Sequence, residues 1–269
     1  MGSKFCTPTR ISSLKLWFAI ALDFIIPRVC VVCGRELGMN EEHLCLYCQA
    51  DLPLTRNWEQ KHNPMADQFN ALLEKMRPAP LEEPPEEPVM EEPKPEPYAY
   101  AASLIYYRGD SPFSRIPQAL KYGGNLNAGR YFAHLLGKKM AEQAHWQDVD
   151  LVIPVPLHWK RRRSRGYNQA EVIASALAHE LGAQLRTDVL MRARRTRSQT
   201  SLSSEERLKN VSGVFKLKRK SPELRTKHIL LVDDTFTTGA TLAACHQVLR
   251  NVIGRDVRIS VATLAMVSS

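Results

Sequence analysis

The sequence has no apolar run long enough to cross a lipid bilayer, so we expect no stable membrane insertion. The longest run, Leu16–Ile26, has eleven residues and includes Asp23, whereas a spanning helix needs about 20. No small-residue cleavage site stands before Pro27, which argues against a secretory signal peptide. Its helical spacing predicts an amphipathic helix within residues 1–28 that packs on the protein, with targeting or membrane-surface binding as the alternative. We expect a cytoplasmic location.

Acidic residues are the minority among the charged residues, and many of them fall in one segment. The chain has 37 Lys and Arg against 28 Asp and Glu, a net charge of +9, which suits polyanionic partners such as phosphorylated small molecules or single-stranded DNA. Residues 77–97 are rich in proline and glutamate. This composition predicts an extended, solvated linker or inserted loop. A docking role is the alternative.

Four of the six cysteines form two pairs with metal-ligand spacing. The pairs are Cys30-x-x-Cys33 and Cys45-x-x-Cys48, and two such knuckles supply the four thiolates of a tetrahedral Zn²⁺ site. Four protein ligands leave no open position, so this pattern predicts a structural zinc ribbon, which we assign to residues 29–76. Disulfides or unligated thiols are the alternative. His43, between the two pairs, could also bind the metal, but we expect it to be a surface residue of the connecting loop.

The most informative segment is Ile229–Thr241, where an apolar run leads through polar residues into a helical pattern. The run Ile229–Val232 lacks polar alternation, as is typical of a parallel strand buried on both faces. The segment after it therefore lies at the carboxyl end of a strand and the amino end of a helix, where free amides favour an anion. No lysine follows Gly239, which excludes a Walker-type loop.

The residue types in this turn suit a sugar phosphate. Asp233 and Asp234 would repel a phosphate but can bind ribose hydroxyls, directly or through hydrated Mg²⁺. The residues expected to bind the phosphate are Thr235, Thr237, Thr238, Gly239, Ala240 and Thr241. The segment resembles the 5-phosphoribosyl-1-pyrophosphate (PRPP) signature of type I phosphoribosyltransferases, which makes the two aspartates candidate catalytic residues. The alternative is a strand that ends in an acidic turn and an ordinary helix cap.

Alternating strand and helix patterns predict that residues 98–269 form an α/β domain. Strands are expected at 101–107, 150–156, 214–217, 229–232 and 257–264, and helices at 112–121, 128–143 and 170–181. Alternation of this kind predicts a mostly parallel sheet flanked by helices. The pattern therefore predicts an α/β fold, and the resemblance of residues 229–241 to the PRPP signature implies the type I phosphoribosyltransferase kind. A small four-cysteine zinc ribbon would precede this domain.

Two further segments carry candidate binding residues. The loop 155–169 follows a predicted strand and is rich in arginine, whose planar fork suits pyrophosphate. Arg165 is the leading candidate, followed by Arg162 and Arg163, and a solvated basic surface is the alternative. The polar segment 190–207 predicts a mobile loop that closes over a polyanion. Its candidate contacts are Arg197, Gln199 and Thr200, although an ordinary exposed loop would have the same composition.

Several ordered motifs together resemble the ComF family of competence-associated proteins over nearly the whole chain. They are the four cysteines, Ala119-Leu-Lys-Tyr-Gly-Gly124, Pro154-Val-Pro-Leu-His158, Arg165-Gly-Tyr-Asn-Gln169, Arg195-Thr-Arg-Ser-Gln-Thr200, Glu206-Arg207 with Asn210-Val211, and Leu231–Leu242. The resemblance implies a type I phosphoribosyltransferase fold, PRPP binding with Mg²⁺, a zinc ribbon, and a link to DNA uptake in natural transformation.

Two functional hypotheses follow from these observations. The first is an enzyme that transfers phosphoribosyl to an acceptor and releases pyrophosphate. The second is a non-catalytic, PRPP-responsive factor that binds single-stranded DNA and partners a competence helicase, with Trp159 and Tyr167 between the arginines as candidate stacking residues. Cys6 is not amino-terminal and no glutaminase domain is evident, so we do not expect a glutamine amidotransferase.

Overall fold

The chain forms two compact units, which divide after Asp51. The computed structural model describes residues 28–77, 95–122, 125–193, 213–218 and 225–267. The segment predicted as the zinc ribbon, residues 29–76, therefore includes residues of both units, and residues 52–77 belong to the second. The predicted amino-terminal helix and nearly all of the Pro/Glu-rich segment lie outside the described residues.

The first unit is a small structure of turns and one short helix. Val29 forms an antiparallel bridge with Glu36, which closes a tight hairpin around the first cysteine pair. Gly34 within it has a φ of 75°, a left-handed conformation that glycine adopts without strain. Helix α1 follows at Leu46–Ala50.

The second unit is an α/β structure, and its main sheet confirms the predicted fold class. The strands are β1 (Ala101–Tyr107), β2 (Leu151–Pro154), β3 (Gln184–Leu185), β4 (Leu190–Arg192), β5 (Phe215–Leu217), β6 (His228–Phe236) and β7 (Arg258–Val267). Five of them form a sheet in the order β1-β7-β6-β2-β3. Every neighbouring pair in this sheet is parallel.

Helices cover both faces of the sheet. They are α2 (Pro64–Lys75), α3 (Arg115–Tyr122), α4 (Leu126–Ala141), α5 (Trp159–Arg165), α6 (Gln169–Leu181) and α7 (Ala240–Arg250). Helices α4 and α6 pack against each other and the sheet, while α2 and α7 share the core on the other face. Single 3₁₀ turns occur at Asn57–Glu59, Pro112–Ser114 and Ala144–Trp146. None of the helices in the described ranges combines the length and apolarity that a membrane crossing requires.

Helix α2 explains why residues 52–77 belong to the second unit. Its first turn is capped by Asn63, whose Oδ1 accepts from the Ala66 amide at 3.0 Å, and Pro64 at the first helical position needs no amide partner. Phe69 is completely buried in the core. The Asn63 side-chain amide also donates to the Ala101 carbonyl at 3.0 Å, so the cap fixes α2 to β1.

Strands β4 and β5 form a separate antiparallel pair. The strand at β5 was predicted, but its partner Leu190–Arg192 was assigned to the mobile loop, and for these three residues that assignment was wrong. The reason is packing, because Leu190 is buried in the core of the unit and its polar neighbours in the sequence conceal this.

Candidate functional site

The candidate site lies where β2 and β6 separate at their carboxyl ends. The ladder between them ends at Pro154 and Val232, with one further hydrogen bond of 2.8 Å from the Val155 amide to the Val232 carbonyl. The chain leaves β2 toward one edge of the sheet and leaves β6 toward the other. Such a switch point opens a crevice in which parallel α/β proteins bind ligands.

Strand β6 extends further than the sequence indicated. We expected it to end at Val232, yet pairing with β7 continues to Phe236. Asp233, Asp234 and Thr235 are therefore strand residues held on one side by the β7 ladder. This fixes their backbone, whereas a turn would leave it mobile.

Asp233 is a carboxylate in an unfavourable environment. Burial and the neighbouring Asp234 carboxylate raise its pKa from the ordinary value of 3.8 to about 7. The charges of Lys121 and Arg192 act in the opposite direction but are outweighed. Its Oδ1 accepts from the Asp234 amide at 2.8 Å. A strongly perturbed acid at the mouth of a crevice is a typical mark of a functional site.

Asp234 has a cationic partner that sequence reasoning missed. Lys121 on α3 places its Nζ 3.1 Å from Asp234 Oδ1 and donates to Thr235 Oγ1 at 3.3 Å. Burial alone would lower the pKa of Lys121, but the Asp234 carboxylate and, after it, Asp233 raise it above its ordinary value. The lysine therefore stays charged. The motif that contains Lys121 is evident in the sequence, but it does not indicate which acidic residue the lysine contacts.

The turn after β6 leads directly into the amino end of helix α7. Gly239 caps helix α7 with a φ of 77°, and a Cβ at this position would lie 3.0 Å from the Phe236 ring. Both the conformation and the space therefore require glycine. The Ala240 amide lies 3.5 Å from Thr238 Oγ1, and Ala240 and Thr241 begin α7. Thr237 is exposed in the turn and Thr238 half-buried. A helix that starts in this way presents free backbone amides, which can bind an anion.

The arginine-rich segment is a helix, where a loop was expected. His158 caps α5 by accepting from the Lys160 amide at 3.3 Å, and Gly166 ends it with a φ of 84°. Arginine and lysine favour helices, which accounts for the difference. Arg162 lies 3.2 Å from Glu171 on α6, and Arg163 is exposed. Arg165 is half-buried in the last helical turn.

Two hydrogen bonds connect the arginine-rich segment to the rest of the crevice. Tyr167 donates its hydroxyl to the Leu120 carbonyl at 2.5 Å, next to Lys121. The buried Asn168 side chain donates to the Val155 carbonyl at 3.0 Å, where β2 ends. The loop candidates Arg197, Gln199 and Thr200 lie outside the described residues.

The four cysteines of the first unit form a compact cluster. The Sγ atoms of Cys30, Cys33, Cys45 and Cys48 all lie within 4.8 Å of one another, and those of Cys33 and Cys45 are 3.7 Å apart. The second pair sits at the start of α1, with Cys45 as its N-cap. His43 is not part of the cluster.

The electrostatics of this cluster favour a bound cation. Burial alone would raise the pKa of Cys30, but hydrogen bonds from backbone amides, including that of Cys33, bring it to about 7. Burial and the adjacent cysteines raise the pKa of Cys48, because a second thiolate beside the first is unfavourable in the absence of a metal. Four sulphur ligands at these separations fit a tetrahedral zinc ion.

Comparison with known proteins identifies the domain to which the second unit is similar. Residues 167–267 match the model of the phosphoribosyl transferase domain. The chain is 30% identical over 151 residues to Competence protein F of Haemophilus influenzae, which is 55% of this chain and 66% of that protein.

Two further relatives extend the comparison. Identity to DNA utilization protein YhgH of Salmonella typhimurium is 31% over 159 residues, or 58% of this chain and 68% of that protein. Identity to Competence protein ComFC of Streptococcus pneumoniae is 30% over 138 residues, or 51% of this chain and 57% of that protein. The matched region thus spans about two thirds of the length of the first two relatives. The chain belongs to the ComF family, and its second unit contains a phosphoribosyltransferase-like domain.

Proposed function

We propose that this protein binds PRPP in the crevice between the carboxyl ends of β2 and β6. The observation that carries the proposal is the meeting of three features there: a fixed pair of acids, a glycine turn that starts a helix, and a lysine held against one acid. The match to the phosphoribosyl transferase domain supports it. An acidic turn with an ordinary helix cap would not need a buried carboxylate with a strongly raised pKa.

Each part of the crevice would hold one part of PRPP. The turn from Thr237 to Thr241 offers amides and hydroxyls to the 5-phosphate, where each hydrogen bond to the charged group is worth about 1.5–3 kcal/mol. Asp233 and Asp234 accept hydrogen bonds from the ribose hydroxyls. Arg165, next to the Tyr167 anchor, is the leading pyrophosphate contact, with Arg163 and Arg162 after it. Arg162 would first have to leave Glu171.

Magnesium would enter with the ligand. Mg²⁺ keeps several waters and binds through one or two carboxylates together with ligand oxygens, and the acid pair fits that donor set. When bound, the ion would neutralise charge that develops on the pyrophosphate. Before the ligand binds, Lys121 pairs with Asp234. On binding, its ammonium would exchange this carboxylate for an oxygen of the ligand.

The proposed reaction is transfer of phosphoribosyl to an acceptor. The bond from C1 of the ribose to the pyrophosphate oxygen breaks, and the pyrophosphate leaves with the electron pair. The acceptor atom forms a new bond to C1 and loses its proton to solvent or a nearby base. Carboxylates beside the ring stabilise the positive charge that builds at C1, and Arg165 would stabilise the leaving group.

The test is calorimetric titration with PRPP and Mg²⁺. The double variant Asp233→Asn with Asp234→Asn should bind at least about tenfold more weakly, since the loss of one charged hydrogen bond already costs this much. Asp188→Asn is the matched control, because it removes an exposed carboxylate in the segment that precedes β4. Equal affinities for parent and double variant would overturn the proposal. Pyrophosphate release in the presence of bases or amines would then identify transfer.

A second candidate function is PRPP-responsive binding of single-stranded DNA. One observation favours it: the Trp159 side chain is 59% exposed at the start of the basic helix α5, and Lys160 lies 5.3 Å from its ring centre. Stacking of a base on such a ring is worth about 1–3 kcal/mol. Trp159→Ala should weaken binding of an oligonucleotide, measured by anisotropy with and without PRPP. Val252→Ala, which removes another exposed apolar side chain, should not.

The first unit completes the proposed architecture. We propose that its four cysteines hold a structural Zn²⁺, because four protein ligands leave no position for catalysis. Residues 77–97 would act as a linker or inserted loop, and residues 1–28 as a helix that packs on the body. By analogy with relatives named for competence and DNA utilization, the protein would act in one of these processes. The resemblance of its sequence motifs adds to the proposal a role in DNA uptake, in the cytoplasm, with a competence helicase as partner.

A further inference from the structure

Two histidines and a glutamate come together on the outer face of the second unit, where α4 and α6 pack. They are His134, His179 and Glu180, and their ligand atoms all lie within 4.8 Å of one another. We propose that they form a second metal site, which binds a divalent first-row transition metal such as Zn²⁺. This site belongs to neither the four-cysteine cluster nor the acid pair on β6.

The separations in the cluster are close to those that a metal requires. Glu180 Oε1 is 2.7 Å from His134 Nδ1 and 3.4 Å from His179 Nδ1. A tetrahedral zinc ion with bonds of about 2.0–2.1 Å sets neighbouring ligand atoms about 3.3 Å apart. Of the three pairs, Glu180 with His179 already has this spacing, and Glu180 with His134 would open by about 0.6 Å. The ligand atoms of the two histidines lie within 4.8 Å of each other, and side-chain rotation would set their distance.

The packing of the two helices places Glu180 between the histidines. A Cβ at Gly137 on α4 would lie only 2.8 Å from the Glu180 Cβ, so glycine lets the helices approach at this level. The Glu180 side chain is 16% exposed, while His179 is 77% exposed. The Glu180 carboxylate therefore lies between the two imidazoles.

The ligand set selects the class of metal. Imidazole nitrogen suits zinc, cobalt and nickel, whereas magnesium and calcium prefer oxygen ligands. Two histidines and one carboxylate also leave one coordination position open. His134 and His179 line a cleft of about 440 Å³ together with Arg130 and Arg162, which gives a small ligand access to this position. The arginines oppose a cation but favour an anionic fourth ligand, and Glu171 offsets the charge of Arg162 at 3.2 Å.

The experiment compares bound zinc between the protein and matched variants after equilibrium dialysis. His179→Ala is the main variant, because its exposed side chain can be removed without disturbing the core. Glu180→Gln, similar in size, is the second. Each should bind one zinc fewer per chain than the parent, whatever the cysteines hold. His62→Ala, which removes an exposed histidine on another surface, should match the parent.

Cobalt(II) provides an independent readout. Cobalt at the four cysteines gives strong thiolate charge-transfer absorption, whereas a histidine–carboxylate site shows only weak visible bands. The parent should show these weak bands after the cysteine signal saturates. His179→Ala should lose the weak bands and keep the strong cysteine bands. Equal zinc content in the parent and both variants, or weak visible bands that persist in His179→Ala after the cysteine signal saturates, would overturn the proposal.

Discussion

Replacing Asp233 by asparagine should stabilise the protein while it weakens PRPP binding. The Asp233 carboxylate is half-buried beside Asp234, and both its burial and this neighbour disfavour its charged form. Asparagine has nearly the same shape and can still accept the hydrogen bond from the Asp234 amide, but it carries no charge. The variant therefore removes the electrostatic penalty and leaves the backbone of β6 unchanged.

The magnitude follows from the pKa of Asp233. A rise from 3.8 to about 7 corresponds to about 4 kcal/mol, at about 1.36 kcal/mol per pKa unit. Because the side chain keeps partial contact with solvent, we expect about half of this, or about 2 kcal/mol, in the free energy of unfolding.

The stabilisation should depend on pH in a specific direction. The pKa of Asp233 is higher in the folded than in the unfolded protein, so its protonated form stabilises the folded state. This contribution is fully present below pH 3.8 and is lost as the pH rises through about 7. The difference in stability between Asp233→Asn and the parent should therefore be near zero in acid and largest above pH 7.

Urea unfolding of the ligand-free protein at several pH values measures this difference. Asp234→Asn is the matched control, since it leaves the largely buried Lys121 without its carboxylate at 3.1 Å and should destabilise the protein. If Asp233→Asn is less stable than the parent at pH 8, or if the difference does not change with pH, the assignment of Asp233 as a strained, functional carboxylate is wrong.

Three further predictions concern the rest of the structure. Cys30→Ser should lose the zinc of the first unit, measured by metal analysis, and a folded first unit without metal would contradict the ribbon. Gly239→Ala should cost more than the roughly 1–2 kcal/mol of a left-handed alanine and abolish PRPP binding, because its Cβ meets Phe236. Gly182→Ala, with a φ of 65° and nothing within 4 Å, should show the conformational cost alone. Lys121→Met should shift the pH midpoint of PRPP binding upward, because Lys121 lowers the pKa of Asp233; an unchanged midpoint in calorimetry would contradict this.

The sequence predicted those parts of the fold that depend on local pattern. The apolar run Ile229–Val232 is buried as expected, and helix α6 begins and ends within one residue of its prediction. The glycine turn and the two cysteine pairs were visible because each needs particular residues at fixed spacing. Patterns of this kind can be predicted because they involve only residues that are close together in the sequence.

Features that depend on distant contacts could not be predicted in the same way. The polar residues after Val232 indicate a turn, but β7 keeps them in the strand as far as Phe236. Lys121 meets Asp234 only because α3 packs over the end of β6. Phe69 falls within the segment that the sequence assigns to the zinc ribbon, yet it is buried in the core of the second unit. In each case, the partner lies far away along the chain.

The two adjacent acids of β6 differ in a way that bears on how the site would work. Asp234 has a cation at 3.1 Å, so its charge is compensated before any ligand arrives. Asp233 is insufficiently compensated, as its raised pKa indicates. The packing of β6 does not require such a carboxylate, because an uncharged residue at this position would be more stable. Sites that violate a rule of folding at a cost to stability are where function is expected, and the Mg²⁺ proposed to enter with the ligand is what would relieve the cost at Asp233.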